Sequence, residues 1–226
     1  RTLRGDELGV LLADHLIRRG RAGTYAATIV SSSMLGTLCA ARGVDYAETL
    51  TGFKWIVRAD ERLAFGYEEA IGYCVAPDHV RDKDGVTAAL LVCELAAGLR
   101  SELRGLPDRL DELAREFGVY MTDQLSVRVD DLRRITRAMA RLRSAIPTTL
   151  LDEPVVECVD MLPEADVVKL RTEAARVVVR PSGTEPKLKA YLEVVEPVID
   201  DVATARERAA AGLRALRSET AAALGL

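Results

Sequence analysis

The order of predicted helices and strands changes near Gly118, and this change constrains the fold more than any other feature of the sequence. Before Gly118, helical patterns such as residues 81–103 alternate with β-branched strands such as residues 24–30. This alternation is typical of an α/β layer with at least partly parallel strands. From Val119 onward the predicted order is βαβββα, which indicates an α+β domain with a largely antiparallel sheet. The 226 residues are enough for two such domains.

Local signals predict how the first helices begin. Asp6 is predicted to be the N-cap of a helix over residues 5–20. The cluster Ser31–Ser33 follows a strand, and we interpret it as a cap for the next helix rather than as a set of nucleophiles. Trp55 is predicted to belong to the core rather than to a binding surface.

The segment RVVVRPSGTEPKLKAYLEV near the C-terminus carries many groups that can hold an anion. Arg180 ends one strand, where its planar guanidinium can bind two phosphate oxygens. Ser182, Gly183 and Thr184 supply hydroxyls and unhindered backbone N–H groups, which together can form an anion-binding nest. Lys189 lies on the following strand. The pattern therefore predicts a phosphate-binding loop.

An ordinary connection between two strands is the alternative, since Pro, Ser, Gly and Thr are common turn residues. A plain turn needs neither the arginine nor the two lysines, Lys187 and Lys189, which period-two alternation places on one face. Phosphate binding is therefore the favoured interpretation.

Two adjacent carboxylates, Glu68 and Glu69, lie between Gly66 and Gly72 in the segment GYEEAIGY. Adjacent strand residues point to opposite faces, so at most one of the two would face a ligand. A carboxylate can accept two hydrogen bonds side by side, which suits the vicinal hydroxyls of a sugar. Taken alone, the segment is better explained as a solvated acidic loop.

Lys83, in the segment DHVRDKDG, precedes a predicted helix that Asp84 can cap. The positive end of the helix dipole favours the neutral amine there, which would help a lysine to accept and donate protons. An exposed loop lysine is the alternative. In the segment TLTGFKWI, Thr51 and Gly52 form a predicted turn.

Four ordered motifs, LTGFKW, YEEAIG, DHVRDKDG and VVVRPSGTEPKLKAY, resemble the α-D-phosphohexomutase superfamily, which includes phosphoglucomutases and phosphomannomutases. The resemblance covers nearly the whole chain but only the third and fourth of the family's four domains. It implies a mixed α/β three-layer domain at residues 9–118 and a TATA-binding-protein-like α+β domain at residues 119–226. Residues 1–8 would be the tail of the second domain. Because the chain begins at Arg1 rather than at methionine, we expect it to be part of a longer protein.

The resemblance also implies roles for the residues in these motifs. The non-reacting phosphate would be held by five of them: Arg180, Ser182, Gly183, Thr184 and Lys189. Glu68 would bind the sugar hydroxyls, and Lys83 would be the general acid or base. Thr51 and Gly52 would line the sugar site.

The implied activity is transfer of a phosphoryl group between the C1 and C6 hydroxyls of a hexose, through a phosphoserine and a bisphosphate intermediate. The family's phosphoserine lies in its first domain and its magnesium loop, D-x-D-x-D, in its second. Neither motif occurs here, so no metal ligand is expected in this chain and Mg²⁺ would be bound elsewhere. Many family members have a serine where this chain has Ala70, and the EEAIG version resembles the branch of actinobacterial phosphomannomutase-like proteins and animal phosphopentomutases. The alternatives are thus a phosphopentomutase or a non-catalytic phosphate-binding module.

Composition argues against several other classes. The balance of 31 Lys and Arg against 35 Asp and Glu gives a formal net charge of −4, which disfavours a nucleic-acid partner. No apolar run is long enough for a membrane span, and no signal-peptide core is seen. The four scattered cysteines indicate reduced thiols, and hence a cytoplasmic location. No nucleotide-binding G-x-x-x-x-G-K-[ST] or G-x-G-x-x-G motif is found.

Overall fold

The structure, a computed structural model, describes residues 2–226 and divides into two compact units at the Phe117–Gly118 bond. In chain order, unit 1 contains α1 (Gly5–Arg18), β1 (Thr24–Thr28), α2 (Met34–Arg42), β2 (Tyr46–Thr49), α3 (Phe53–Ile56), β3 (Leu63–Glu68), β4 (Gly72–Cys74), α4 (Gly85–Ser101) and α5 (Leu106–Phe117). The strand order in its sheet is β2-β1-β3-β4. Strand β1 is parallel to β2 and β3, and β4 is antiparallel to β3, which confirms the predicted mixed α/β architecture.

One face of the unit 1 sheet carries a row of aromatic rings, Tyr25, Phe65, Tyr67 and Tyr73. Successive ring centroids are 5.9, 6.1 and 6.4 Å apart. Helix α1 packs on this face at Gly9, where an added Cβ would lie only 2.6 Å from the Tyr67 ring. The close approach of α1 to the sheet therefore depends on glycine, which has no side chain, at position 9.

The opposite face of the same sheet receives the short helix α3. An added Cβ on Gly66 would lie 2.2 Å from Cγ2 of Ile56, so α3 also approaches the sheet through a glycine. Alternation along β3 puts Glu68 on the same face as Gly66. The helix and the carboxylate are thereby brought to one side of the sheet.

Asp6 is not the N-cap of α1, so that prediction is wrong. Arg4 holds the N-cap position, and its backbone N–H donates to Glu7 Oε2 at 2.9 Å. Asp6 lies in the first turn and is 8% exposed. Its Oδ1 accepts from the Ser32 backbone N–H at 2.7 Å and from the Tyr67 hydroxyl at 3.1 Å. The carboxylate thus joins α1 to a loop and a strand that are distant in sequence.

The serine cluster has a structural role at the start of α2. Ser33 holds the N-cap position, while Ser32 Oγ accepts from the Met34 backbone N–H at 3.2 Å. Ser31 Oγ lies 2.9 Å from the Thr28 hydroxyl and accepts from the Glu69 backbone N–H at 3.2 Å. These contacts support the interpretation of the cluster as a helix start.

Unit 2 contains β5 (Val119–Arg128), α6 (Arg133–Ser144), β6 (Thr149–Leu150), β7 (Glu153–Pro154), β8 (Glu157–Asp160), β9 (Val168–Arg171), β10 (Ala175–Pro181), β11 (Lys187–Glu196) and α7 (Val202–Leu224). Its main sheet has the order β5-β11-β10-β9-β8, and every neighbouring pair is antiparallel. This confirms the predicted antiparallel sheet. Buried side chains of the sheet form a core with α6 and α7.

The predicted order βαβββα is wrong, because it omits the two-residue strand β6, joins β7 and β8 into one strand, and omits β9. This strand has only four residues, and its buried Val168 and Leu170 alternate with Lys169 and Arg171. Half of so short a strand is charged, so its hydrophobic signal is weak.

Within residues 2–226, no helix has both the length and the hydropathy needed to cross a membrane.

We predict that Asp6→Ala lowers the free energy of unfolding by about 2–3 kcal/mol, because it leaves a buried N–H and a buried hydroxyl without their acceptor. Tyr67→Phe should cost about 1 kcal/mol, since it removes one donor only. The exposed Glu61→Ala is the control. Urea denaturation measures all three, and an Asp6→Ala loss no larger than that of the control would contradict this role.

Candidate functional site

The predicted phosphate-binding residues lie at one end of the β10–β11 pair. Arg180 and Lys189 are directly opposite each other in the antiparallel register. Cross-strand partners share a face of the sheet, so the two cationic side chains emerge side by side. The structure thus brings together a pair of residues that are nine positions apart in the sequence.

Both cations lack a counter-charge within the part of the chain that the structure describes. The guanidinium of Arg180 makes no hydrogen bond or ion pair with another described residue. The Lys189 ammonium lies 6.0 Å from the centre of the Tyr191 ring and has no carboxylate partner among residues 2–226. Two adjacent uncompensated charges create a positive potential that favours an anion.

Lys187 differs from Lys189 because it is neutralised locally. Its Nζ lies 2.8 Å from Glu185 Oε1, and Arg128 Nη2 lies 3.0 Å from the same oxygen. The hydrogen bond from Lys187, together with the charge of Arg128, holds the pKa of Glu185 below its usual value. Lys187 is therefore the weaker candidate of the two lysines for holding an anion.

The loop between the two strands offers unused hydrogen-bond donors. The Ser182 N–H donates to the Lys187 carbonyl at 2.8 Å and closes the turn. The hydroxyls of Ser182 and Thr184, and the N–H groups of Gly183 and Thr184, have no acceptor among the described residues. A Cβ added to Gly183 would meet no atom within 4 Å, so the fold itself does not require this glycine. The open space above it is available to a ligand.

The unit 1 candidates Glu68 and Lys83 meet over Gly72. A Cβ added to Gly72 would lie 2.6 Å from Lys83 Cδ and 2.7 Å from Glu68 Oε1. Gly72 pairs with Glu68 across the β3–β4 hairpin. The absence of a side chain at Gly72 therefore lets the carboxylate and the lysine chain converge.

The two adjacent glutamates have different surroundings. The Glu68 side chain has no hydrogen bond or ion pair with any other residue in the described range. Glu69 begins the turn, where its backbone N–H donates to Ser31 Oγ. The backbone carbonyl oxygen of Glu69 would lie only 2.0 Å from a Cβ added to Gly5, so this turn lies close against the start of α1. Glu68 is thus the carboxylate that is free to bind a ligand.

Lys83 lies just before α4, as predicted. Asp84 is the N-cap of this helix, and its Oδ1 accepts from the Val86 N–H at 2.9 Å. Hydrogen bonds from the Thr87 hydroxyl and from Val86 lower the pKa of Asp84. The Lys83 ammonium lies 4.6 Å from the centre of the Phe53 ring and 3.6 Å from Asp82 Oδ1. The aromatic ring and the helix cap together position the lysine.

The predicted turn at Thr51 and Gly52 leads directly into α3, which carries Phe53. Gly52 has φ = +110°, a conformation that favours glycine. Trp55 is 42% exposed, so its predicted place in the core is wrong. Its ring lies beside Gly52, with Cδ1 3.8 Å from the position of an added Cβ. Sequence reasoning therefore missed an exposed aromatic surface beside this turn.

The described residues do not supply a magnesium site. No group of three or more His, Cys, Asp or Glu side chains in residues 2–226 is arranged to hold a metal ion.

We predict that Gly72→Ala weakens binding of glucose 1-phosphate, the ligand class that the motif resemblance implies, by about tenfold, while the protein stays folded. The new Cβ would displace the flexible ends of Lys83 and Glu68 rather than the backbone. Gly98→Ala is the matched control, since a Cβ there would meet no atom within 4 Å. The control should leave affinity unchanged and raise stability by about 0.5–1 kcal/mol. Equal affinities of the two variants for glucose 1-phosphate in a calorimetric titration would contradict a ligand-binding role for Glu68 and Lys83.

Comparison with known proteins gives family matches to both units. The family model described as phosphoglucomutase/phosphomannomutase, alpha/beta/alpha domain III, matches residues 4–117. The model of the C-terminal domain of the same family matches residues 125–215.

The curated relatives are longer proteins. A Haemophilus influenzae protein named Probable phosphomannomutase is 39% identical over 199 residues, which cover 85% of this chain and 41% of that protein. A phosphoglucomutase of Staphylococcus epidermidis is 29% identical over 219 residues, with coverage of 84% and 40%. The chain thus spans about two fifths of the length of these relatives.

Solved structures show the same fold. The open form of parafusin, a phosphoglucomutase from Paramecium, superposes with a TM-score of 0.70 at 20% identity, over 100% of this chain and 43% of that one. A phosphoglucomutase/phosphomannomutase family protein from Burkholderia thailandensis gives a TM-score of 0.67 at 14% identity, with coverage of 99% and 42%. Since the domain III model alone matches just over half of the residues and the C-terminal model follows it in order, the chain belongs to the phosphoglucomutase/phosphomannomutase family.

Proposed function

We propose that this chain supplies the sugar-binding and phosphate-binding part of a phosphosugar mutase. The enzyme would move a phosphoryl group between the C1 and C6 hydroxyls of a hexose, through a phosphoserine and a sugar bisphosphate. The observation that carries the proposal is the pair of uncompensated cations, Arg180 and Lys189, beside a loop of unused donors. Family membership adds independent support.

In unit 2, the proposed role is to hold the phosphate that is not reacting. Arg180 donates two parallel hydrogen bonds to phosphate oxygens, and Lys189 adds a second positive charge. The hydroxyls of Ser182 and Thr184 and the N–H of Gly183 occupy the remaining lone pairs. This arrangement recognises a phosphate and is indifferent to which sugar carbon bears it, as a mutase requires.

In unit 1, the proposed role is to recognise the sugar and to transfer a proton. Glu68 accepts hydrogen bonds from neighbouring hydroxyls, and the loop of Thr51 and Gly52 lines the sugar site. Lys83 acts as general acid or base at the oxygen that gains or loses the phosphoryl group. Trp55 offers an apolar ring surface beside that loop.

The proposal places the phosphoserine and the Mg²⁺ ligands in other domains of the protein, as the motif resemblance implies. When bound, Mg²⁺ would neutralise charge on the transferring phosphoryl group. We propose a cytoplasmic location, which the four free cysteines support. The substrate is a small sugar phosphate, and neither nucleic acid nor a membrane is a proposed partner.

A phosphopentomutase is the second candidate, because the sugar loop has Ala70 where many family members have serine, and its EEAIG version resembles a branch that includes animal phosphopentomutases. Turnover of glucose, mannose and ribose monophosphates by the full-length protein separates the two candidates. No turnover of any of them, with glucose 1-phosphate still bound, would favour the non-catalytic module.

We predict that Arg180→Ala in the full-length protein lowers kcat/KM, because a buried charge contact with phosphate is lost. The decrease should correspond to a loss of about 2–4 kcal/mol of transition-state stabilisation. Arg180→Lys should recover only part of this loss, since an ammonium cannot make the bidentate contact. Arg133→Ala, at a side chain that is 86% exposed, is the control and should have no effect. Wild-type kinetics in both Arg180 variants would refute the phosphate assignment.

We also predict that Glu68→Gln reduces kcat/KM much more than Glu69→Gln does. The Glu68 carboxylate makes no hydrogen bond or ion pair within the described chain, whereas Glu69 is engaged in contacts of the turn. The two variants remove the same charge from neighbouring positions, so each is a control for the other. Steady-state kinetics of the full-length protein tests the order, and the reverse order would assign sugar recognition to Glu69.

A further inference from the structure

Unit 2 contains a second concave surface, where α6 meets the C-terminal end of α7. It encloses about 280 Å³, and residues of β5 and β11 form part of its floor. We call it the α6–α7 groove. Its lining contains none of the residues to which the proposed function assigns sugar or phosphate binding.

Three arginines line one wall of the groove and share one face of α6. Arg134, Arg137 and Arg141 are spaced at i, i+3 and i+7, and all three are exposed. At a helix rise of about 1.5 Å per residue, they form a row about 10 Å long. The row is a strip of positive charge that is open to solvent.

No carboxylate neutralises this row within residues 2–226. The Arg134 guanidinium makes no hydrogen bond or ion pair with another described residue. Nε of Arg137 and Nε of Arg141 each donate at 3.3 Å, to the carbonyl oxygens of Arg133 and Ala223. No Asp or Glu side chain lines the groove. Like charges on neighbouring helical turns repel one another, so a ligand with several negative charges would be favoured here.

The floor beside the arginines is apolar. Val129, Leu188 and Leu224 are at most 4% exposed, and Leu226 lies at the edge with 44% exposed. A row of cations next to an apolar floor suits a ligand that carries both carboxylates and an aliphatic group. No aromatic side chain lines the groove, so it lacks the stacking surface that single-stranded nucleic acids commonly use.

We propose that the α6–α7 groove is a docking surface for an acidic peptide segment of another protein. Carboxylates of the segment pair with the arginine row, and an aliphatic side chain covers the apolar floor. A single carboxylate or phosphate is too small to contact charges spread over about 10 Å, so the ligand carries several charges. Inorganic polyphosphate would supply the charges but leave the floor uncovered. The proposal does not depend on the mutase assignment.

The probe is a fluorescein-labelled peptide of sequence Glu-Glu-Leu-Glu-Glu-Leu-Glu-Glu, titrated with the 226-residue chain and followed by fluorescence anisotropy. A second peptide has serine in place of both leucines, and a third has glutamine in place of every glutamate. The double variant Arg134→Gln/Arg137→Gln removes two charges from the row. Arg214→Gln is the matched control, because Arg214 is exposed on α7 and does not line the groove.

The expected result is saturable binding of the leucine peptide that weakens as salt is added. The double variant should weaken it by about tenfold, or about threefold for each exposed ion pair. Arg214→Gln should leave the affinity unchanged. The serine peptide should bind more weakly than the leucine peptide, and the glutamine peptide should not bind.

Absence of saturable binding of the leucine peptide would overturn the proposal. An equal loss of affinity in Arg214→Gln and in the double variant would also overturn it, because binding would then follow net charge alone. Undiminished affinity of the serine peptide would remove the role of the apolar floor and would likewise contradict it. An oligodeoxythymidine of similar charge that binds more tightly than the peptide, and is weakened by the same double variant, would assign the surface to nucleic acid instead.

Discussion

The antiparallel register between β10 and β11 is the constraint on which the candidate phosphate site depends. Side chains alternate along a strand, so a slip by one residue would move every side chain to the other face of the sheet. The observed register buries Val179 and Leu188 in the core with α6 and α7. The same register sets Arg180 opposite Lys189 on the other face. Burial of the hydrophobic core thereby fixes the position of the charged pair, without any ion pair to hold it.

In unit 1, the arrangement of the candidate site depends on glycines as well as on the contacts that position Lys83. Gly66 lets α3 approach the sheet, and Gly72 lets Glu68 and Lys83 converge. A positive φ at Gly52 turns the chain into α3. The motifs GYEEAIGY and LTGFKW therefore contain both the functional side chains and the glycines that leave room for those side chains to converge.

The sequence was most informative where the determining signals are local. Hydrophobic periodicity predicted the two architectures, and the turn residues predicted the loop that follows Arg180. Asp6 was misread because a helix-start signal cannot show that its carboxylate binds Ser32 and Tyr67, which are far away in sequence. Trp55 was misplaced because large apolar residues are usually buried, and its exposure results from the tertiary position of a four-residue helix. The convergence over Gly72 is likewise a tertiary feature.

We propose above all that the loop after β10 binds the phosphate of a sugar phosphate. The most direct test of this proposal is a ¹H–¹⁵N titration of the chain with glucose 1-phosphate, beside glucose at equal concentration. If the N–H groups of Gly183 and Thr184 donate to phosphate oxygens, their amide resonances should shift downfield and saturate with glucose 1-phosphate but not with glucose. Unchanged resonances for both amides, with saturable shifts elsewhere in the chain, would contradict the account.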